Sequence, residues 1–407
     1  MHERSLVSMI TVAIAGVTVS AGISVSITRT QAQVQAQVAS ATAPPPTLTT
    51  PWGEPDLQGI WTDEFETPLQ RPAKYADQEF FTESERASLD IQRSALPGKD
   101  KRAERGTEFD VSGSYNDVFK SHRRTGTRTS MIVDPPNGRI PPLTPEAQKN
   151  NAIEREFRLA LLQATETCKI KYPTCAGEKY DPTPSPRRAE PPPRYNATNN
   201  GYINRHDGPE DGPLAERCLT SGLPEFGSSY SNSFRRIVQT PGSITIFYDV
   251  GQGQGWQRNI VLDGRPHLPA KVREWYGDSR GRWDGDSLVI DVTNFSPKTD
   301  FQGSRENLHL VERWTRTGPN TVEYVVTIDD PTVWTRTWTV KQEFRKQSEE
   351  QNRVYYEPRC VEGNYALAGL LRGARMEELV FAEGRGPDPA TKDNSIAITG
   401  DEDGPLQ

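Results

Sequence analysis

GDSRGRWDGDSLVIDVTNF, residues 277–295, carries four aspartates, two arginines and a tryptophan in nineteen residues. Such a stretch reads either as an acidic metal or active-site loop or as a β-hairpin. The hairpin fits better. Asp284-Gly285 supplies the positive φ angles that a two-residue type I′ turn demands. After the turn, Leu288, Ile290 and Val292 fall on one face, and Val289, Asp291 and Thr293 on the other. A calcium loop needs oxygen ligands at D-x-D-x-D-G spacing, which DGDSLVID does not supply. Asp278, Arg280 and Arg282 precede the turn and are left unexplained by it.

The same alternation continues on both sides. Segments 236–240, 243–248, 257–262, 288–292, 308–315, 321–328, 335–344 and 354–357 read as strands separated by Pro-Gly, Asp-Gly, Gly-Pro-Asn and Asp-Asp-Pro turns. Strands at this spacing with no helices between them indicate a mainly β fold: an antiparallel barrel or curled sheet over 226–380. A final helix is expected from Tyr365 to about Glu378. Residues 51–225 read as an irregular, partly helical segment packed on that barrel. It holds a strand at PDLQGIW, a helix opened by the capping box Thr82-Glu83-Ser84-Glu85, and a short strand at Ser130–Asp134. A second helix opens at Thr144-Pro145-Glu146 and is expected to run to about Cys168.

At the N-terminus, the run from Leu6 to Ile27 holds no charge, and Ala-, Gln- and Pro-rich sequence follows to residue 50. Residues 1–43 therefore read as a signal peptide and linker, which implies a periplasmic or secreted protein with no stable membrane span after cleavage. Residues 381–407 read as a flexible tail. The 407 residues carry a net charge of -7 and only 34% hydrophobic residues, with 33 Pro and 32 Gly, so the core must be concentrated in part of the chain. Mild acidity argues against a nucleic-acid partner. The four cysteines suit an exported protein, and the pairs expected are Cys168–Cys175 and Cys218–Cys360, although spacing alone allows three connectivities.

Candidate chemistry concentrates in the β half. In ENLHLVERW, residues 306–314, alternation puts Leu308, Leu310, Glu312 and Trp314 on one face and His309 with Arg313 on the other. A carboxylate among apolar side chains is costly unless paired, so Glu312 is read as a proton carrier, or else Glu312 or Asp291 as half of a buried ion pair with Arg282 or Arg313. His309 is the second proton carrier, with Asp278 and Arg282 as supporting catalytic groups. Tyr230, Tyr248, Trp256, Arg280 and His267 are the expected ligand contacts. A metal site from His267, His309 and an aspartate lacks any H-x-H or H-x-x-x-H spacing, and no metal is expected. Neither a G-x-S-x-G elbow nor a G-x-G-x-x-G strand–helix unit occurs, so no bound organic cofactor is implied.

PDLQGIW, IVDPPNGRIPPLTPEAQ, PLAERCL, IVQTPG, LDGRPHLP, GDSRGRWDGDSLVIDVTNF, ENLHLVERW, TIDDPTVWTRTWTV and CVEGNYAL resemble, over residues 51–380, a large uncharacterised family of exported bacterial β-rich proteins. The resemblance implies export and a β-rich core, and carries no catalytic residue. A weaker likeness to lipocalin-type barrels lies in W-x-G-D-x-L-V, residues 283–289, and implies small-molecule handling only by analogy.

Together these features point to an exported, cofactor-independent enzyme doing acid–base chemistry of lyase, isomerase or hydrolase type on a small, partly apolar or aromatic molecule. The alternatives are a non-catalytic small-molecule-binding protein with the same pocket, or a glycan-binding accessory protein with coplanar, exposed tryptophans.

Overall fold

The computed structural model describes residues 48–63, 65–95, 124–171, 180–197, 203–214, 217–219, 222–226, 234–249, 255–347 and 365–395. The expected signal peptide and linker, Tyr230, Cys175, Cys360 and the strand expected at 354–357 lie outside them.

The hairpin register decides the architecture. Strands β8 (Asp278–Asp284) and β9 (Ser287–Thr293) pair antiparallel, Arg280 opposite Asp291 and Asp284 opposite Ser287. The turn is therefore Gly285-Asp286, one residue later than expected. Gly285 has φ +59°, and neither Asp284 nor Asp286 is among the residues with positive φ. Glycine at the first of two loop positions is the type II′ requirement, whereas type I′ needs positive φ at both. β9 continues the meander into β10 (His309–Gly318), β11 (Thr321–Asp329) and β12 (Trp338–Lys346). Upstream, β5 (Phe234–Thr240), β6 (Ser243–Asp249) and β7 (Gly255–Val261) form a second antiparallel run.

Two contacts turn these runs into a closed wall. β7 meets β8 at Val261 and Arg280, and this contact is parallel, so the barrel is mixed and not purely antiparallel. Gly281 allows it: a Cβ there would sit 2.5 Å from Leu262 and 2.7 Å from Ile260. The other contact is β1 (Gly59–Thr62), which pairs with β5 on one side and β12 on the other. β1 and β5 through β12 thus close a barrel of nine described strands. β2 (Phe65–Glu66) and β3 (Arg124–Thr125) form a separate parallel pair, and β4 (Ile132–Asp134) lies further along the β12 edge that β1 occupies. The segment N-terminal to residue 226 therefore contributes staves to the wall as well as cover.

Inward residues alternate along every stave, as the period of two requires. Ile244, Ile246, Ile260, Leu288, Ile290, Val292, Leu310, Val326, Val340 and Phe344 are all buried in one core cluster. Fully burying each such side chain stabilises the barrel by roughly 1.5–3 kcal/mol.

Local signals place the helices. Thr82 closes the expected capping box with Glu85, and the helix runs Glu83–Ser94. Thr144 caps a helix over Pro145–Leu161, shorter than expected. Its continuation breaks at Leu162–Thr165, where the Thr165 hydroxyl accepts from the Cys168 amide at 3.2 Å and starts a separate helix, Glu166–Lys171. The last helix spans Tyr365–Ala382. Beyond it, Asn394 donates its amide to Asn204 Oδ1 at 2.8 Å, so part of the expected tail is held to the body. No helix among the described residues is long and apolar enough to cross a membrane.

Candidate functional site

Two groups of polar side chains stand out, one inside the barrel and one on its outer wall. Inside, Glu312 projects from β10 and is completely buried, but it is not a lone carboxylate among apolar groups. Arg258 reaches it from β7 across the interior and donates Nη1 to Oε1 at 3.0 Å and Nη2 to Oε2. Tyr324 Oη donates to Oε1 and Trp314 Nε1 to Oε2, each at 3.3 Å. The partner expected from sequence, Arg282 or Arg313, is wrong for a geometric reason. Both sit at outward positions, where Arg313 pairs with Asp284 at 2.6 Å and Arg282 is exposed. A second buried pair joins Arg235 of β5 to Glu225 at 2.8 Å, and the Arg235 guanidinium lies 4.1 Å from the centre of the Phe344 ring.

Tyr248 stands between these pairs. Burial drives its phenol pKa well up, while the pull of Arg258 and Arg235 is opposed by Glu312 and Glu225. Its ring stacks on Trp256 (centroids 5.8 Å apart, planes 17° apart), and Trp256 stacks on Tyr276 at 5.7 Å and 7°. Register produces this ladder: Arg235, Tyr248 and Trp256 are direct cross-strand partners on β5, β6 and β7 and all point inward. The ladder runs from the buried Tyr248 to the partly exposed Trp256 and Tyr276. Three donors here are buried without an acceptor among the described residues: Trp256 Nε1, Arg258 Nε and Arg235 Nη1. Unmet donors in a protein interior are uncommon and costly.

On the outer wall, the chain between β7 and β8 folds back and seats His267 between two carboxylates. Its Nδ1 lies 2.8 Å from Asp278 Oδ2 and its Nε2 lies 2.9 Å from Asp291 Oδ1. Carboxylate oxygens accept, so the ring meets both contacts when both nitrogens carry hydrogen. Asp278 is further held by the Leu268 amide at 2.8 Å and by Arg280 through Nε at 3.1 Å and Nη2 at 2.8 Å. The other Asp291 oxygen lies 3.2 Å from His309 Nε2. That hydrogen bond holds the Asp291 carboxyl below its usual range and raises the half-exposed His309 imidazole above its own, against the opposing effect of burial. Asn294, at φ +59°, fastens the covering segment by donating to Leu268 O at 2.8 Å.

The structure thus brings His267, Asp278, Arg280 and His309 together and joins them through Asp291. Tyr248, Trp256 and Glu312 meet separately inside the barrel. Arg282 belongs to neither group. Sequence reasoning missed Arg258 and Arg235, although each breaks an apolar inward face (Trp256, Arg258, Ile260; Arg235, Ile237) as visibly as Glu312 does. Tyr276 gave no such signal, since it lies outside any strand. Among the described residues, no three His, Cys, Asp or Glu side chains are arranged to hold a metal ion. Cys168 and Cys218 are both disulfide-bonded, while Cys175, Cys360 and hence the pairing lie outside the described residues.

No family model matches the chain. No curated protein matches it either. Solved structures that match include the fluorescent protein UnaG, wild type, at 17% identity and TM-score 0.18, over 28% of this chain and 72% of that one. A mutant of the same fluorescent protein matches at 17% identity and TM-score 0.18, over 28% and 71% of the two chains.

Proposed function

We propose that the protein binds a small, partly apolar or aromatic molecule inside its barrel, at the Tyr248–Trp256–Tyr276 ladder. One observation carries this reading: three buried donors on the inward faces of β5 and β7, to either side of Tyr248 on β6, have no acceptor among the described residues, beside near-parallel rings that lead to partly exposed positions. A barrel filled only for stability would use apolar side chains, because buried ion pairs are rarely worth more than a well-packed apolar replacement. A ring ladder with a few fixed polar groups suits a small-molecule site. Binding fits the interior better than chemistry does. Arg258, Tyr324 and Trp314 occupy both carboxyl oxygens of Glu312, and His309 stands on the far side of the wall. Export to the periplasm or beyond, with disulfides 168–175 and 218–360, belongs to the same proposal.

The test is native mass spectrometry of the protein purified without chelators, followed by Trp256→Ala. A stoichiometric small molecule in the wild type that is lost from a folded Trp256→Ala supports the reading. Equal retention in both sinks it.

A second reading, acid–base catalysis, has the outer wall as its support. Asp291 bridges two imidazoles and leaves His309 half-exposed, with its proton affinity raised. A proton carrier backed by an orienting carboxylate is the arrangement general acid–base chemistry uses. Hydrolysis of 4-nitrophenyl acetate by wild type above the His309→Gln background supports it, and equal rates remove it. Of the eight tryptophans only Trp52 is exposed, so the flat platform that glycan binding requires finds no support.

A further inference from the structure

Resting on the reading of the barrel interior as a ligand site, we infer that its ligand is a neutral, planar aromatic molecule bearing a carbonyl oxygen, and not a carboxylate or other anion.

The unmet groups along the ring ladder are donors: Trp256 Nε1, Arg258 Nε and Arg235 Nη1. Trp256 and Arg258 are two residues apart on one strand and point the same way, so their free N–H groups flank a common stretch of the interior. Arg235 and Trp256 are both register partners of Tyr248, from opposite sides. What fills this space must therefore accept hydrogen bonds, and a carbonyl oxygen with two lone pairs does so.

The charges argue against an anion. Two guanidiniums next to an aromatic ladder would ordinarily mark a carboxylate site. Here each is already matched. Arg258 spends both terminal nitrogens on Glu312, and Arg235 spends Nη2 on the side chain and backbone carbonyl of Glu225. Further negative charge would face Glu225 and Glu312, to which both guanidiniums at the ladder are already committed, and an uncompensated buried charge is strongly disfavoured. A neutral acceptor uses the remaining N–H groups without disturbing either pair. Planarity follows from the rings, whose offset stacking is extended by another flat π system.

Three probes built on one ring system separate these elements: 2-ethylnaphthalene has no acceptor, 2-acetylnaphthalene a neutral carbonyl and 2-naphthoate a carboxylate. Isothermal titration of the full chain at pH 7.5 should rank acetyl first by at least tenfold over ethyl, with naphthoate weakest. Naphthoate binding as tightly as the ketone overturns the choice of a neutral ligand while leaving the site itself standing. Equal affinity for the acetyl and ethyl compounds overturns the role of the donors. Failure of all three to bind removes the ligand-site reading together with this inference. Trp256→Phe keeps a ring in the ladder and deletes its N–H, so the acetyl-to-ethyl affinity ratio should fall at least threefold. An undiminished ratio removes Trp256 as a donor.

Discussion

Arg258 and Glu312 face each other across the barrel from strands that are not neighbours in the sheet, and both oxygens of the carboxylate are taken by the one guanidinium. Neither is more than 3% exposed. The pair is thus an internal strut between β7 and β10, with Tyr324 and Trp314 completing the carboxylate's hydrogen bonds.

Removing either end leaves the other charge stranded. Glu312→Ala or Arg258→Ala should each cost about 3–5 kcal/mol in a denaturant titration. The double variant Arg258→Met/Glu312→Leu should recover most of that loss. If the single and double variants are equally unstable, the strut is not what holds these strands.

Stability should also respond to pH through the outer wall. His309 is raised above its ordinary 6.5, so its contribution is fully present below about pH 6.5 and disappears as pH rises through the raised value. Asp291 is lowered from 3.8, so its contribution is present above about pH 4 and disappears as pH falls through the lowered value. Both act together between those limits. The groups are partly exposed, so the effect should stay within about 1 kcal/mol. Denaturation midpoints at pH 5.5 and 8.5 should differ less in His309→Gln than in wild type, and an unchanged difference would contradict the assignment.

Gly277 holds the entrance to β8. Its φ is +65°, and a Cβ would lie 2.5 Å from the carbonyl oxygen of Thr293. Gly277→Ala should therefore destabilise by more than about 1 kcal/mol, displacing Asp278 and loosening His267. Gly242→Ala is the control for strain alone, having φ +84° and nothing within 4 Å of its Cβ. A smaller loss at 242 than at 277 is expected in thermal melts.

The aromatic ladder makes an optical prediction. Trp256 lies between two near-parallel rings, so Trp256→Leu should abolish a large share of the near-ultraviolet circular dichroism while leaving the far-ultraviolet spectrum intact. Each ring pair is worth about 0.5–1.5 kcal/mol beyond its buried area, so a loss of roughly 1–3 kcal/mol should accompany it. An unchanged near-ultraviolet spectrum would mean that the stack does not persist in solution.

The strands were legible because alternation and turn residues act locally. Leu288, Ile290 and Val292 face the core as their spacing demands, and Thr82 and Thr144 cap the helices they announce. Closure was not legible, since pairing β1 with both β5 and β12 depends on contacts between distant residues such as Trp61 and Lys346. For the same reason the alternation that exposed Glu312 could not name Arg258, which lies 54 residues away on a strand that is not its neighbour. His267 and Asp278 were each marked, but their meeting depends on how residues 262–277 fold back over the wall. That path is set by Gly277, Asn294 and the hydrogen bond to Leu268, and by no periodicity.

The stave formed by Gly59–Thr62 also orders events in time. It is synthesised before every other strand of the ring, yet one of its two partners, β12, begins at residue 338. During synthesis it must wait, half-paired at best, while about 280 residues emerge. Contacts so far apart in sequence slow the search for the native state. The ring therefore completes only once β12 is available, and an N-terminal truncation past Thr62 should yield an open sheet with two unsealed edges, prone to self-association.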